Sequence, residues 1–218
     1  MNPISAIIVV KGNPPHVIET IESIQNFVKE IIVADIGIDF VLKEKLLSYP
    51  TLRCIDISKQ IPYVELIREE LKQQAKEEWI LFLDPDEVLT QGLKNELSNN
   101  LLKCDYFLIP RKNIMFGKWM GHSRWWPDYQ VRLFKKNSVV WPKEIHKQPI
   151  TSGKEYKVAE KEDLAIIHYN YESLDEYLSK AMRYAKSEAA EKIRSSSYSL
   201  SQATKNALSE FISRFFAL

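Results

Sequence analysis

The sequence predicts an α/β fold in which a mostly parallel central sheet is flanked by helices. Within the first hundred residues, short apolar runs rich in β-branched residues alternate with segments whose apolar residues recur at helical spacing. A breaker or capping residue follows each run, which is the order expected of β-α-β units. The length of 218 residues and the apolar content of 45% suit one sizeable domain with a helical appendix.

Four strands and four helices are predicted in this first region. The strands are residues 5–10, 31–34, 52–57 and 79–83. The helices are indicated by apolar residues at helical spacing, which are Val17, Ile18, Ile21, Ile24 and Val28, then those of 40–47, then Val64, Ile67, Leu71 and Ala75 after Pro62, then Leu93, Leu97 and Leu101. Because a helix joins each strand to the next, we expect parallel strands with helices on both faces of the sheet.

The pattern changes after Cys104. Strands are predicted at 105–110, 129–136 and 165–171, and an aromatic and basic segment at 111–128 separates the first two. From Ser173 the chain is predicted to be helical. A Ser-rich break at 195–201 precedes a last helix that carries Ala207, Leu208, Phe211, Ile212, Phe215 and Phe216.

The acidic block Asp84-Pro85-Asp86-Glu87 follows directly after the fourth predicted strand. Ligands of parallel sheets bind beyond the carboxyl ends of the strands, so Asp84 and Asp86 are expected in the ligand cleft. Two carboxylates separated by one residue can hold one cation, and oxygen ligands favour Mg²⁺ or Mn²⁺ over zinc. A solvated, capped turn is the alternative, because Asp-Pro is a common turn former.

The familiar phosphate-binding loops are absent from the sequence. The turn after the first strand reads KGNPP, not GxGxxG, and no GxxxxGK[ST] occurs, which excludes a dinucleotide fingerprint and a P-loop. The same lack of a glycine-rich loop argues against a nucleotidyltransferase. Asp35, after the second strand, is the first candidate for contacting a base or ribose and Asp39 the second, with loop capping as the alternative for both. On residue type alone, Arg68 is expected on a solvated helix face.

Composition excludes several classes of protein. Thirty basic and 29 acidic residues give a net charge of +1, without the basic excess typical of nucleic-acid binding. Cys54 and Cys104 are too far apart for a CxxC motif, so we expect small buried residues, as suits a reducing cytoplasm. No apolar run is long enough to span a membrane, and a cytoplasmic location is predicted, with peripheral attachment to the inner face of the membrane as the alternative.

Longer blocks of the sequence resemble the family 2 glycosyltransferases, which have the Rossmann-like GT-A fold. The nucleotide-binding half is matched by SAIIVVKGN, IIVADIGID, Arg68 with Ala75, and EEWILFLDPDE. The second half is matched by IPRKNIMFGKWMG, WWPDYQVRLFKK, EIHK, IIHYNY and YLSKAMRYAKSEA, which are similar to the subgroup of bacterial lipopolysaccharide-core glucosyltransferases. The resemblance covers about residues 3–190.

The resemblance implies a UDP-sugar donor and a divalent cation, Mn²⁺ or Mg²⁺. It implies Asp35 near the uracil, Arg68 near the uracil or diphosphate, and Asp84 facing the ribose or metal. Asp86 is then the direct metal ligand. His168 lies on an apolar strand, where a hydrogen-bonded core residue is the usual reading, and the resemblance adds a metal or diphosphate contact as the alternative.

The acceptor side carries the candidate base. The resemblance implies a carboxylate there, and Asp128 matches that place best, with Glu144 in reserve and a strand-start cap as the alternative for Asp128. Aromatic faces stack on sugar rings, so Trp125 or Trp126 is expected to meet the acceptor, whereas Trp141 is expected in the core. Further acceptor or phosphate contacts are predicted from the basic side chains and a histidine of this half, which are Arg111, Lys118, Arg124, Arg132 and His146. Solvated charge at the strand edges is the alternative for the four basic side chains.

These predictions define a domain organisation and a function. A GT-A domain is expected over 1–172, with a nucleotide-binding half at 1–103 and an acceptor-side half at 104–172, followed by a helical extension at 173–218. The function implied is metal-dependent, inverting transfer of a sugar to a hydroxyl of a surface glycan or lipid-linked acceptor. The alternatives are an inactive GT-A-like binding module and a peptide-modifying glycosyltransferase. The last helix is expected to pack on the main domain or on a second copy in a homodimer, or to dock on a membrane.

Overall fold

The computed structural model describes residues 1–57, 64–122, 125–142, 148–194, 201 and 204–209. Its longer strands are β1 (Asn2–Gly12), β2 (Val28–Ile38), β3 (Leu52–Asp56), β4 (Trp79–Leu83), β6 (Tyr106–Met115), β8 (Asp128–Lys135) and β12 (Ile166–Tyr171). Short strands are β5 (Glu87–Leu89), β7 (Lys118–Trp119), β9 (Val139–Val140), β10 (Ile150–Thr151) and β11 (Glu155–Lys157). The helices are α1 (Val17–Ile24), α2 (Phe40–Leu47), α3 (Arg68–Gln74), α4 (Gln91–Asn100) and α5 (Leu174–Arg194).

The centre of the molecule is a mixed sheet with the strand order β3-β2-β1-β4-β8-β6-β12-β5. The first four strands of that order are parallel, as the helices between them require. Strand β8 then pairs antiparallel with β4, and β12 pairs antiparallel with β5. The predicted α/β fold with a largely parallel sheet between helices is therefore confirmed.

The two faces of the sheet bury separate apolar cores because successive residues of a strand point to opposite sides. In β1, Ile4, Ala6, Ile8 and Val10 face the core that includes residues of α1, α2 and α4. The intervening Ile7 and Val9 face the other core. That core includes Leu71 of α3 and Ala75, the residue directly after this helix. Both faces of the strand are buried, which explains its unbroken apolar run.

Element boundaries differ from the prediction at the end of α1. The periodicity assigned Val28 to this helix, but the helix ends at Ile24 and Val28 opens β2. Val28 is fully buried in the core, and its strand register places it opposite Asn2. An apolar residue four positions after Ile24 satisfies the helical pattern equally well, so spacing alone did not separate the two elements. By contrast, α2 occupies the predicted residues 40–47.

The chain divides into two compact units, 1–111 with 129–168 and 112–128 with 169–218. The first holds the parallel strands and α1 to α4. In the second, β6 ends in a tight hairpin to β7 whose turn residues, Phe116 and Gly117, have positive φ values of 52° and 72°. The predicted helix after Ser173 is present as α5. The boundary at residue 172 stays a prediction. Residues 195–200 of the Ser-rich break and the segment from Phe211 to Phe216 lie outside the described residues.

None of the helices in the described part of the chain combines the length and the apolar character needed to cross a bilayer. Cys104 is buried and Cys54 half-buried, and both thiols are free.

Candidate active site

The acidic block forms a tight turn at the carboxyl end of β4, all five residues of which are buried. The Glu87 N–H donates to the Asp84 carbonyl over 3.1 Å and closes the turn. The Thr20 hydroxyl of α1 donates to the Pro85 carbonyl, also over 3.1 Å, from the neighbouring helix. The turn that carries Asp84 and Asp86 is therefore fixed both from within and from α1.

Glu87 is fully buried and accepts hydrogen bonds from three donors. One oxygen accepts from the Asp84 N–H at 3.1 Å. The other accepts from Arg132 Nη2 at 2.6 Å and from Arg111 Nη1 at 3.1 Å. A buried carboxylate needs such partners because an uncompensated charge in the interior is costly. Glu87 thus anchors two arginines, from β6 and β8, to the acidic turn.

Arg132 links the carboxylates of Asp84 and Glu87. Its side chain is 5% exposed and contacts the Asp84 carboxylate as well as Glu87. Burial opposes ionisation of Asp84, but the positive charges of Arg132, Arg68 and Arg111 outweigh it and hold the pKa of the Asp84 carboxyl well below its usual range. Asp84 is therefore an ion-paired carboxylate, with its side chain 36% exposed at the mouth of the turn.

Asp86 faces His168 of β12. Its Oδ1 lies 3.7 Å from His168 Nε2, and β12 reaches this place because His168 pairs with Glu87 across the β5–β12 ladder. Burial, together with the charges of Arg111 and Arg132, lowers the pKa of His168 to about 4 against the opposing effect of the Glu87 and Asp84 carboxylates. The imidazole is therefore neutral at neutral pH, which is the form that ligates metals.

The charges of this site balance. Three carboxylates, those of Asp84, Asp86 and Glu87, stand against the guanidinium groups of Arg68, Arg111 and Arg132. With His168 neutral, the formal sum is zero. A dianionic or trianionic diphosphate and a divalent cation can enter such a site together without leaving a large net charge in a partly buried place.

Arg68 begins α3, and its guanidinium lies against two neighbouring aromatic rings. Its guanidinium carbon lies 4.3 Å from the centre of the Trp141 ring and 5.5 Å from that of Phe82. Trp141 is 7% exposed, in agreement with the expectation that it is a core residue. Its backbone N–H donates to Glu69 of α3 over 2.7 Å. Stacking of this kind keeps a planar cation extended at a defined place.

Asp35 lies near the carboxyl end of β2 and is buried. It accepts from the backbone N–H groups of Gly37 and Ile38 at 2.9 and 2.8 Å, and Lys43 Nζ lies 2.6 Å away. Burial alone raises a carboxyl pKa, but these partners hold the pKa of Asp35 below its usual value. Asp39 caps α2 by accepting from the Val41 N–H at 3.0 Å, which is the capping role weighed for it from the sequence.

The site offers a divalent cation two protein donors, so substrate oxygens or water would have to complete its coordination shell. Among the described residues, no three His, Cys, Asp or Glu side chains form a ready metal cage. Asp86 and the neutral imidazole of His168 supply two donors side by side, whereas Asp84 is engaged by Arg132. Cations of the Mg²⁺ type are commonly held by one or two protein groups with substrate phosphates completing the shell.

Of the predicted acceptor-side residues, Trp125, Trp126 and Asp128 belong to the second compact unit, whereas Arg111 and Arg132 belong to the first. Asp128 accepts a hydrogen bond from the Asn113 amide over 3.1 Å. Trp126 packs edge-on against Trp119, with ring centres 5.4 Å apart, and Trp125 and Trp126 are both partly exposed. The remaining acceptor candidates, Arg124, Glu144 and His146, lie outside the described residues.

Sequence reasoning assigned no role to Glu87 and expected a phosphate or acceptor contact for Arg111 and Arg132. The structure pairs both arginines with acids of the turn. The sequence does contain a signal that Glu87 needs a basic partner. Glu87 is followed directly by the apolar residues Val88 and Leu89 and so begins a buried strand. An acid at the start of a fully buried strand requires a basic partner.

The strand order and the helices on both faces, together with the acidic turn after β4, define a GT-A-like α/β fold. It is similar to the crystal structure of S. aureus TarS 1–349, with a TM-score of 0.52 and 16% identity over 76% of this chain and 60% of that one. A TarS 1–349 structure in complex with UDP-GlcNAc matches with a TM-score of 0.52 at 15% identity, covering 74% of this chain and 60% of that one.

A further TarS structure matches with a TM-score of 0.52 at 14% identity, covering 76% of this chain and 36% of that one. The chain thus spans less than two thirds of these TarS structures. No protein-family model matches the sequence. Similarity at this level of identity establishes the fold alone.

Proposed function

We propose that this chain is a metal-dependent, inverting glycosyltransferase that uses a nucleotide-sugar donor, most simply a UDP-sugar. The observation that carries the proposal is the cluster at the end of β4, where Asp84, Asp86 and His168 meet three arginines in a GT-A-like fold. The acceptor is a hydroxyl of a surface glycan or of a lipid-linked sugar. The complex of TarS with UDP-GlcNAc supports the choice of donor class.

Each donor-side residue receives a role. Asp86 and His168 would hold Mn²⁺ or Mg²⁺, which would supply neutralisation of negative charge on a diphosphate. Asp84, oriented by Arg132, accepts from the ribose hydroxyls. Arg68, fixed on Trp141, donates to the diphosphate or the uracil edge. Asp35 accepts from the uracil N–H at the end of β2.

The chemical step is a single in-line displacement. The acceptor oxygen forms a bond to the anomeric carbon as the bond between that carbon and the β-phosphate oxygen breaks. The electron pair leaves with UDP, and the proton of the acceptor hydroxyl passes to the Asp128 carboxylate. Trp125 or Trp126 supports the apolar face of the acceptor sugar, with His146 as a further acceptor contact.

Nucleotide binding tests the donor side of the proposal. UDP at 1 mM with 2 mM MnCl₂ should raise the melting temperature, and EDTA should abolish most of the increase. Asp86→Asn should lose the Mn²⁺-dependent part, because a carboxylate ligand is replaced by a neutral amide. Asp175→Asn, on the exposed start of α5, is the matched control and should behave as wild type.

Turnover tests the catalytic side. UDP release from a panel of UDP-sugars with Mn²⁺ should be measurable for the wild type and lost in Asp128→Asn, while UDP binding survives. Mn²⁺-dependent UDP binding without any turnover would instead identify a binding module. An absence of UDP binding under all these conditions would refute the proposal as a whole.

A further inference from the structure

Asn113 is a fully buried amide next to the candidate base. It lies on β6, and its side-chain nitrogen is 3.1 Å from Asp128 Oδ2 and 3.2 Å from the Trp125 carbonyl oxygen. Both of these contacts lie within the second compact unit. A fully buried polar side chain thus spans from the hairpin to the segment that leads into β8.

The orientation of the Asn113 amide follows from its partners. A carboxylate and a carbonyl oxygen can only accept hydrogen bonds, so the –NH₂ group and not the amide oxygen must face them. The two hydrogens of that group serve Asp128 and Trp125 respectively. The backbone of Asn113 is fixed as well, because its carbonyl accepts from the Met120 N–H at 3.0 Å.

The bond from Asn113 to Asp128 acts on the ionised form of the carboxyl group. A hydrogen bond donated to a carboxylate favours its charged form, and the Asn113 amide donates as a neutral group.

We propose that Asn113 is a positioning residue that holds the Asp128 carboxylate ionised and aimed, and that ties it to the backbone at Trp125. This inference rests on the proposed function for the role of Asp128 as base. The amide acts through Asp128 and does not itself contact the reacting atoms. Its second bond holds the Trp125 backbone. The same side chain therefore positions both the candidate base and one of the two tryptophans proposed to stack on the acceptor sugar.

The direct test is the titration of Asp128 in the full chain labelled with ¹³C at the aspartate carboxyl carbons. The resonance that disappears in Asp128→Asn belongs to Asp128. In Asn113→Leu, which has a similar volume and no donor, the midpoint of that resonance should rise by about one pH unit. In Asn113→Ser the side chain is too short for its hydroxyl to reach Asp128, so the Asp128 midpoint should also rise. This variant replaces Asn113→Leu in the test if the leucine variant does not fold.

Asn100→Leu is the matched control. Asn100 is 7% exposed, and its amide likewise donates to a carbonyl and a carboxylate, both of Glu96, in α4. Its replacement should cost comparable stability without moving the Asp128 midpoint. An unchanged midpoint in both Asn113 variants would overturn the proposal.

Hydrolysis of UDP-glucose and UDP-GlcNAc with Mn²⁺, with water as the acceptor, links the titration to catalysis. In Asn113→Leu the acidic limb of the pH profile should move upward with the Asp128 midpoint, kcat should fall at least tenfold, and KM for the donor should change little. If Asp128→Asn keeps its hydrolysis, the base assignment fails and this inference with it. If Asp128→Asn is inactive but the Asn113→Leu profile does not move, the inference alone fails.

Discussion

At the scale of single residues, Glu87 and Arg132 show how an acidic motif is stabilised inside a protein. Glu87 has no exposed surface, and Arg132 has almost none, so neither charge is screened by water. Their bonds join β5 to β8 and also fix Asp84. A buried pair of this kind adds little net stability by itself. Removal of one partner, however, leaves the other charge buried without a compensating opposite charge.

Arg132→Met should therefore be strongly destabilising. We expect a loss of about 3–5 kcal/mol in the free energy of unfolding, because Glu87 is left buried with a reduced set of donors. Urea denaturation followed by tryptophan fluorescence measures it. Lys135→Met on the same strand is the control, since the Lys135–Asp105 pair is 31% exposed on both sides and should be worth at most about 1 kcal/mol. Equal losses in the two variants would contradict the buried-pair argument.

His168 should make stability depend on pH in the metal-free chain. Its pKa is about 4 when folded and about 6.5 when unfolded, so only the unfolded state takes up a proton between these values. The sign follows directly: His168 contributes nothing above pH 6.5, and the free energy of unfolding falls by about 3 kcal/mol as the pH drops from 6.5 to 4. Asp84, whose pKa is lowered by folding, loses its contribution only below about pH 4.

Urea denaturation in EDTA at pH 7, 6, 5 and 4 checks this prediction. His168→Asn should flatten the loss between pH 6.5 and 4. The exposed His122→Gln should leave the wild-type slope unchanged. A wild-type slope in His168→Asn would show that other groups cause the acid sensitivity.

At the scale of elements, the sequence predicted the parts of the fold that have long, regular patterns. The buried strand at 79–83 and the helix at 40–47 coincide with β4 and α2. Strands of two or three residues, such as β5 and β9, have too little length for any alternation to be recognised. Their existence depends on partners far along the chain, as β5 depends on β12.

The same limit applies to the candidate site. The position of Asp84 and Asp86 followed from one local rule, that acids after a buried parallel strand lie at the ligand edge of the sheet. The bond from Arg132 to Asp84 joins residues 48 positions apart, and no local pattern reports such a contact. The sequence therefore predicted the position of the two aspartates in the fold more readily than the residues that pair with them.

Helix α2 offers a test of the two aspartates that the sequence left open as nucleotide contacts. Asp39→Ala removes the cap on Val41 and should cost about 1 kcal/mol of stability, with UDP affinity unchanged. Asp35→Asn should instead weaken UDP binding, because the carboxylate proposed to accept from the uracil N–H is replaced by a neutral amide. Calorimetric titration with UDP and Mn²⁺ measures both. Lower UDP affinity in Asp39→Ala, with Asp35→Asn unaffected, would reverse the assignment.

At the scale of the first compact unit, one sheet separates two apolar cores, one on each of its faces. Leu97→Ala on the α4 side and Leu71→Ala on the α3 side should each cost about 2–5 kcal/mol, since both side chains are buried. Because the sheet lies between them, the two losses should add to within about 0.5 kcal/mol in the double variant. Chemical denaturation of the three variants measures this. A large coupling energy would mean that the sheet transmits packing changes from one face to the other.

The hydrogen bond from Thr20 to the Pro85 carbonyl has a consequence for how fast a ligand is captured. A metal-binding turn that is loose in solution must find its shape during each encounter, which slows association. Here a hydroxyl of the first helix and the closing bond of the turn set that shape when the chain folds. If the proposed function holds, a nucleotide and a cation should therefore bind to a preformed turn, with association rates governed by diffusion and charge and not by loop rearrangement.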